Sequence, residues 1–397
     1  MGRLFVCDPV CVLPFGHNAP ALKYFKQKFS SHFSEVTALC SVHLPPKMVK
    51  EFEFEPFYNF YYHQFLTLSH VPEAVDLSLN CNDPGFVDNI EALATADARR
   101  LLDGYSITAD DTILFPSVDF YGLIGLLNAL AGRSAANQPA VYARFIGVME
   151  NATSSYRVPL KEFVARILEA QSLGARLSFS AEAPPYADEL ATLLQQPVSA
   201  TPYPQVGNLL PMPELGPFVM YCPGSARADK GYFDLWQICR AVRQQDPTLN
   251  IRFVTQILPD SIARHWENYT SQLYALPGVE LLPAIIDEDV MLEQYRKCHA
   301  VLLPYDTETY ALRGSAVMME ATYFGRRILT VTGTGFADQV SYYGIGDVVP
   351  TVADLPAAIL AMARQPRATL QGQAAQACHR FNSDAVSAYA YWLGFVS

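Results

Sequence analysis

The chain has 397 residues, of which 50% are hydrophobic and only 17% are charged. This length exceeds what one hydrophobic core usually supports, so two or three domains are expected, and the apolar content excludes extensive disorder. The 28 Lys and Arg residues and the 39 Asp and Glu residues give a net charge of −11, which disfavours a general nucleic-acid-binding protein.

The first half of the chain alternates short apolar runs with segments of helical periodicity, a rhythm typical of parallel βαβ units. The predicted strands are 4–7, 36–42, 112–115, 141–148 and 176–180. The predicted helices are 19–33, 90–102, 121–130, 160–173 and 187–194.

The second half repeats this rhythm after a proline-rich segment, 197–213, which is interpreted as a linker with a domain boundary near residue 206. The resulting domains are 1–205 and 206–375. The helical stretch 371–396 ends in aromatic residues and is expected to dock on an apolar surface. The predicted strands are 218–222, 251–255, 279–282, 300–303 and 328–331.

An aromatic segment, 45–78, interrupts the first half. Phe52 and Phe54 alternate with glutamates over 51–55, a pattern that predicts a strand. The segment is interpreted as an insertion that covers the core. A flap that binds an acceptor or touches a membrane is the alternative.

The eight cysteines are scattered and form no C-x-x-C pair, which is typical of buried free thiols in a reducing compartment. Residues 1–20 lack the charged start and apolar run of a signal peptide, and no apolar run approaches about 18 residues. A cytoplasmic location is therefore expected, with at most peripheral association with the inner face of a membrane.

The loop 224–231 reads Gly-Ser-Ala-Arg-Ala-Asp-Lys-Gly and leads into a predicted helix. Arg227 and Lys230, flanked by Gly224 and Gly231, are suited to grip a diphosphate in an otherwise acidic protein. The alternative is a solvated helix start with surface cations.

A second candidate region follows the strand 300–303. Ser315 is a predicted helix N-cap, so the free amides of the next helical turn could face a ligand. Glu320 is the one acid of that apolar helix, and a carboxylate in such a setting could accept hydrogen bonds from a ribose diol. The alternatives are an ion pair with Arg313 or Arg326, or simple exposure.

Two further sequence features are candidate ligand sites. Gly16 permits close backbone approach and His17 could contact a phosphate or a sugar, although a lone histidine is more often structural. The acidic triplet 287–289 has the D-x-D form of a metal site, but it precedes a helical run and is interpreted as a helix start. No metal is expected.

These motifs resemble those of GT-B glycosyltransferases, specifically the retaining, nucleotide-sugar-dependent glycosyltransferase family 4. The segment 221–231 is similar to the family's glycine, arginine and lysine-glycine motif, and 320–325 to its Glu-Ala-x-x-x-Gly signature. Gly16 and His17 resemble its N-terminal acceptor loop. Leu312 stands eight positions before Glu320, where the family has a glutamate near the transferred sugar.

The resemblance implies an α/β fold with two Rossmann-like domains facing a central cleft and a C-terminal helix, 376–397, packing back on the N-terminal domain. Arg227 and Lys230 inherit the contacts to the donor diphosphate, and Glu320 inherits those to the ribose. The full set of implied binding residues is Gly16, Gly224, Arg227, Tyr310, Arg313, Gly314, Ser315, Glu320 and Lys230.

The implied activity is transfer of a sugar from a nucleoside-diphosphate sugar to an acceptor hydroxyl, with retention and without a metal or other cofactor. A glycan, a glycolipid or another precursor of a cell-surface polysaccharide is the expected acceptor. Should the reaction invert, Asp119 is the first candidate base and His17 the second, although Asp119 also fits a helix N-cap.

Three other functions remain open from the sequence. Leu312 in place of a glutamate suggests a catalytically silent nucleotide-sugar-binding scaffold. A non-hydrolysing epimerase on the same fold is another possibility. An NAD-dependent dehydrogenase is the weakest, because no G-x-G-x-x-G motif follows the first strand of either half.

Overall fold

The computed structural model describes residues 2–12, 18–59, 84–118, 120–146, 160–202, 209–224, 226–259, 263 and 267–395, with the side chains of 84–90, 120, 160 and 161 left out. The chain divides into two compact units. One comprises Met1–Pro204 and Ala388–Ser397, and the other comprises Gln205–Ser387.

The N-terminal unit is built on a seven-stranded sheet in the order β3-β2-β1-β4-β5-β6-β7, and every adjacent pair is parallel. Its strands are β1 Leu4–Asp8, β2 Val36–Ser41, β3 Glu55–Tyr58, β4 Thr112–Val118, β5 Ala140–Phe145, β6 Arg176–Ala181 and β7 Val198–Ala200. Its helices are α1 Asn18–Lys28, α2 Pro46–Phe52, α3 Pro84–Gly104, α4 Phe120–Leu130, α5 Leu160–Ser172 and α6 Pro184–Leu194.

The C-terminal unit has a six-stranded parallel sheet in the order β10-β9-β8-β11-β12-β13. Its strands are β8 Phe218–Cys222, β9 Ile251–Gln256, β10 Val279–Leu282, β11 Ala300–Leu303, β12 Arg327–Val331 and β13 Gly346–Val349. Its helices are α7 Leu235–Gln245, α8 Glu267–Tyr274, α9 Glu288–Lys297, α10 Ala316–Tyr323, α11 Ala337–Tyr343, α12 Leu355–Ala363 and α13 Arg367–Trp392.

Buried strands and the apolar faces of their helices form the core of each unit. Strand β11 is buried along its whole length, as expected for a parallel strand covered on both faces. In α7, Leu235, Ile238, Cys239 and Val242 recur at helical spacing and are all buried. The prediction of two Rossmann-like sheets is confirmed.

The last residues of α13, from Ala388 onward, belong to the N-terminal unit and to its core. The Tyr389 ring meets the Phe25 ring edge-on at 5.1 Å, and Trp392 is also buried in this core. The Tyr389 hydroxyl donates to the Pro202 carbonyl, and both residues lie in the N-terminal unit. No helix in the described ranges is long and apolar enough to cross a membrane.

The strand predicted over 51–55 is wrong. Helix α2 runs through Phe52, Glu53 adopts a left-handed conformation (φ 54°) that ends it, and β3 begins only at Glu55. Pro46 at the first turn starts the helix, and helical packing outweighs the local alternation of Glu and Phe. Phe54 and Tyr58 are buried, whereas residues 60–78 of the aromatic segment lie outside the described residues.

Three short edge strands were not predicted: β3, β7 and β13. Strand β7 lies within the segment interpreted as a linker, and the two units divide between Pro204 and Gln205. Short edge strands have little room for a periodic pattern, so the sequence gives them a weak signal.

Candidate functional site

The loop after β8 is shaped by two glycines with positive φ angles. Gly224 has φ +92° and Gly231 has φ +70°. A β-carbon at Gly231 would lie 2.0 Å from the Pro304 carbonyl oxygen, so this position requires glycine and packs the loop against the chain that follows β11. Between the two glycines, Ala228–Lys230 form a single 3₁₀ turn.

Arg227 is held by an acid in this turn and by a tyrosine from the neighbouring loop. Its Nε donates to Asp229 Oδ1 at 2.9 Å and its Nη2 donates to Asp229 Oδ2 at 2.6 Å. The same Nη2 donates to the Tyr310 hydroxyl at 3.0 Å. Burial alone would lower the pKa of Arg227, but Tyr310 and Asp229 outweigh it and raise that pKa, so the guanidinium stays charged.

The ammonium of Lys230 lies beside Gly224. A β-carbon at Gly224 would lie 2.6 Å from Nζ, which itself lies 5.9 Å from the centroid of the Tyr305 ring. Within the described ranges, Lys230 makes no ion pair or hydrogen bond through this ammonium. Burial first and Arg227 second lower the pKa of Lys230 to about 8, against the opposing effects of Asp229 and Glu320.

Tyr305 and Tyr310 form the floor of the loop after β11. Both rings are buried, with centroids 4.6 Å apart, and Phe336 packs against both. Burial raises the pKa of Tyr310 to about 12, so its hydroxyl is protonated and can also donate to Asp229. Arg313 lies over the Tyr310 ring, 5.7 Å from its centroid.

Helix α10 begins beside this loop. Ser315 is its N-cap, and its Oγ accepts a hydrogen bond from the Met318 amide at 3.1 Å, as predicted. The amides ahead of Met318 have no acceptor within the helix and are suited to an anionic ligand. Gly314, just before the cap, is buried.

Glu320 lies one turn further along α10 and is half-buried. It accepts a hydrogen bond from the Tyr295 hydroxyl at 3.2 Å. The predicted alternative of an ion pair with Arg326 is wrong, because the buried Arg326 donates instead to the carbonyls of Tyr295, Gly325 and Pro211.

The acidic triplet is a helix start, as predicted. Asp287 caps α9 by accepting a hydrogen bond from the Val290 amide at 2.8 Å, and Glu288 and Asp289 lie in the first turn. Across the described residues, no group of three His, Cys, Asp or Glu side chains is placed to hold a metal ion.

The structure thus brings together predicted residues from three segments of the C-terminal unit. They are Gly224, Arg227 and Lys230 after β8, Tyr310 and Arg313 after β11, and Gly314, Ser315 and Glu320 at α10. Three other candidates, Gly16, His17 and Asp119, lie outside the described residues.

Three contacts in this region were not anticipated. Asp229 accepts a hydrogen bond from Arg227, the Tyr305 ring lies near the Lys230 ammonium, and the Tyr295 hydroxyl donates to Glu320. Only the contact of Asp229 could have been predicted from the sequence, since an acid two residues after an arginine in a tight turn can reach its guanidinium. The two tyrosines lie far from their partners in the chain.

Comparisons with known proteins identify the fold. Neither protein-family models nor curated protein sequences give a match. Among solved structures, sucrose-phosphate synthase from Thermosynechococcus elongatus is similar with a TM-score of 0.65 and 14% identity, over 99% of this chain and 98% of that one. Anabaena HepE in complex with UDP has a TM-score of 0.63 and 12% identity, over 100% of both chains.

A third similar structure has a different described activity. A putative UDP-N-acetylglucosamine 2-epimerase from Listeria monocytogenes has a TM-score of 0.59 and 11% identity, over 98% of this chain and 96% of that one. At these identities the likeness concerns the fold. The prediction of a two-domain α/β fold of the GT-B type is confirmed.

Proposed function

We propose that the protein is a glycosyltransferase that moves a sugar from a nucleoside-diphosphate sugar to an acceptor hydroxyl. The observation that carries this proposal is the pairing of Arg227 and Lys230 beside the start of α10. Two cations with unused donors and a helix N-terminus form an arrangement suited to a diphosphate. The complex of HepE with UDP supports the same class of ligand.

The donor would be bound in two parts. Its diphosphate would contact Arg227, Lys230 and the amides after Ser315. Its ribose hydroxyls would donate to Glu320, because a carboxylate can accept several hydrogen bonds at once. Gly224 would allow the phosphates to approach the backbone, and Tyr310 and Arg313 would border the site.

In the proposed reaction the bond between the anomeric carbon and the diphosphate oxygen breaks, and a new bond forms to the acceptor oxygen. Negative charge grows on the leaving diphosphate. Preorganised donors such as Arg227 and Lys230 stabilise that charge, and removal of a single such donor in other enzymes costs about 3 kcal/mol. We therefore propose that no metal is required, so treatment with EDTA should leave the rate unchanged.

We further propose that the configuration of the transferred sugar is retained. The leaving phosphate oxygen would then take the proton of the acceptor hydroxyl on the same face of the sugar. An inverting reaction would instead need a side-chain base, for which Asp119 and His17 stay the candidates. The acceptor, a glycan or a lipid-linked sugar, would use the N-terminal unit and Gly16. NMR of the product's anomeric proton distinguishes retention from inversion.

Incubation with sugar nucleotides tests the proposal directly. The protein should be screened by thermal shift against UDP, GDP, ADP, TDP and CMP and their sugars, since a ligand at a hundred times its dissociation constant adds about 2.7 kcal/mol of stability. The stabilising donor should then release its nucleoside diphosphate in the presence of an acceptor. Binding with no turnover over a broad acceptor set would favour a silent scaffold.

The similarity to a putative 2-epimerase gives a second candidate function. An epimerase should interconvert free UDP-N-acetylglucosamine and its 2-epimer with no acceptor present. A transferase should leave the configuration at C2 unchanged. Proton NMR of the donor after incubation separates the two.

A further inference from the structure

We infer that Asp229 is a positioning residue, which with Tyr310 orients the Arg227 guanidinium so that its Nη1 edge is the one presented to a diphosphate. This inference rests on the proposed function. It adds an acidic residue to the site. Charge complementarity alone would favour only cations near an anionic ligand.

The hydrogen bonds divide the guanidinium into a used edge and an unused edge. A guanidinium carries five N–H donors. The Nε donor and one Nη2 donor form a bidentate pair with Asp229 at 2.9 and 2.6 Å. The second Nη2 donor contacts Tyr310 at 3.0 Å. In the described part of the chain, the two Nη1 donors are left without an acceptor.

Both anchors are themselves fixed. The Asp229 carbonyl accepts a hydrogen bond from the Asp306 amide at 3.0 Å, which ties the turn to the loop after β11. Tyr310 is buried, and its carbonyl accepts from the Gly335 amide at 2.7 Å. An arginine held by two rigid groups loses less conformational entropy when it binds a ligand.

Stability does not explain the Arg227–Asp229 pair. The side chains are 46% and 27% exposed, and exposed ion pairs add little to folding stability. Asp229 also places a negative charge close to the proposed diphosphate. If Asp229 acted only through its charge, its removal would strengthen binding of the diphosphate. If Asp229 positions Arg227, its removal would weaken that binding, so a measured affinity distinguishes the two cases.

The test is isothermal titration of the full chain with UDP and with inorganic pyrophosphate. If Asp229 positions Arg227, Asp229→Ala should weaken binding of UDP and of pyrophosphate about tenfold. This is the effect of losing one hydrogen bond between Arg227 and the charged ligand. Positioning also predicts that Arg227→Ala costs less than about twofold in the Asp229→Ala background, because an unheld arginine contributes little. Asp229→Asn, which keeps the size of the side chain, should fall between wild type and alanine.

Asp306→Ala is the matched control. It removes an exposed carboxylate from the adjacent loop, whose Oδ1 accepts from the Thr309 amide and not from Arg227. This variant should bind UDP as tightly as wild type or more tightly. Tyr310→Phe keeps the buried ring, removes the second anchor and should weaken binding about threefold. Thermal unfolding of each variant establishes that it is folded.

Two results would overturn the inference while leaving the proposed function intact. One is UDP binding by both Asp229→Ala and Asp229→Asn that equals or exceeds wild type. The other is an Arg227→Ala effect of the same size in the two backgrounds. Failure of the wild-type protein to bind either UDP or pyrophosphate would instead contradict the proposed function, and the role of Asp229 with it.

Discussion

Gly224 lies directly against the ammonium of Lys230: a β-carbon on Gly224 would be 2.6 Å from Nζ. The backbone there has φ +92°, a conformation that favours glycine. The shape of the loop and the position of its half-buried cation are therefore coupled.

Substituting Gly224→Ala should weaken UDP binding, because the new methyl group displaces the ammonium. Backbone strain should also cost about 1 kcal/mol of folding stability. Gly344→Ala is the control, since Gly344 also has a positive φ (+67°) but no atom within 4 Å of its would-be β-carbon. Both variants should lower the melting temperature, and only Gly224→Ala should change UDP affinity in a titration. Equal UDP affinities for the two variants would contradict a UDP site at Gly224 and Lys230.

Affinity for UDP should fall as pH rises through the pKa of Lys230, about 8 in the free protein. A bound diphosphate favours the charged ammonium, so binding is strongest below this pH and takes up a proton above it. Above pH 8 the loss should approach about tenfold per pH unit. Lys230→Arg should flatten this dependence, because arginine stays protonated. An identical pH profile for the variant would show that Lys230 does not contact the ligand.

Glu320→Gln should weaken UDP binding about tenfold or more and leave pyrophosphate binding nearly unchanged, because the carboxylate is proposed to contact the ribose. The ratio of the two affinities, measured by titration, isolates this effect. Tyr295→Phe removes only the hydrogen bond at 3.2 Å and keeps the carboxylate, so its UDP affinity should change less than about threefold. A loss of pyrophosphate binding in Glu320→Gln would contradict the proposed contact between this carboxylate and the ribose.

His299 should make the protein less stable in mild acid. It is fully buried, its Nδ1 accepts from the Val219 amide, and its Nε2 donates to the Pro213 carbonyl. Burial first and Arg367 second lower its pKa from 6.5 to about 4. The unfolded chain therefore binds the proton first, and stability falls between about pH 6.5 and 4 by up to about 3 kcal/mol.

Chemical denaturation of His299→Gln at several pH values checks this prediction. The variant should be less stable than wild type at pH 7, and the difference should shrink as the pH falls. His379→Gln, a substitution at an exposed position, should follow the wild-type curve. A constant difference between His299→Gln and wild type would contradict the buried neutral histidine.

The sequence predicted several strands and the N-cap of α10, because both depend on local patterns. Strands β8, β10 and β11 match their predicted bounds, and Ser315 caps α10. Helix α2 was missed because the alternation over 51–55 imitates a strand. The partners of Arg227 and Glu320 were missed because Tyr310 and Tyr295 reach them only through the tertiary fold.

Titration of UDP into wild type, Arg227→Ala, Lys230→Ala and Arg240→Ala tests the central claim most directly. Arg240 lies over the Trp236 ring on α7 and serves as a matched loss of one positive charge. The Arg227 and Lys230 variants should each bind about tenfold or more weakly, and Arg240→Ala should bind like wild type. Equal affinities for all four proteins would contradict a diphosphate site in this loop.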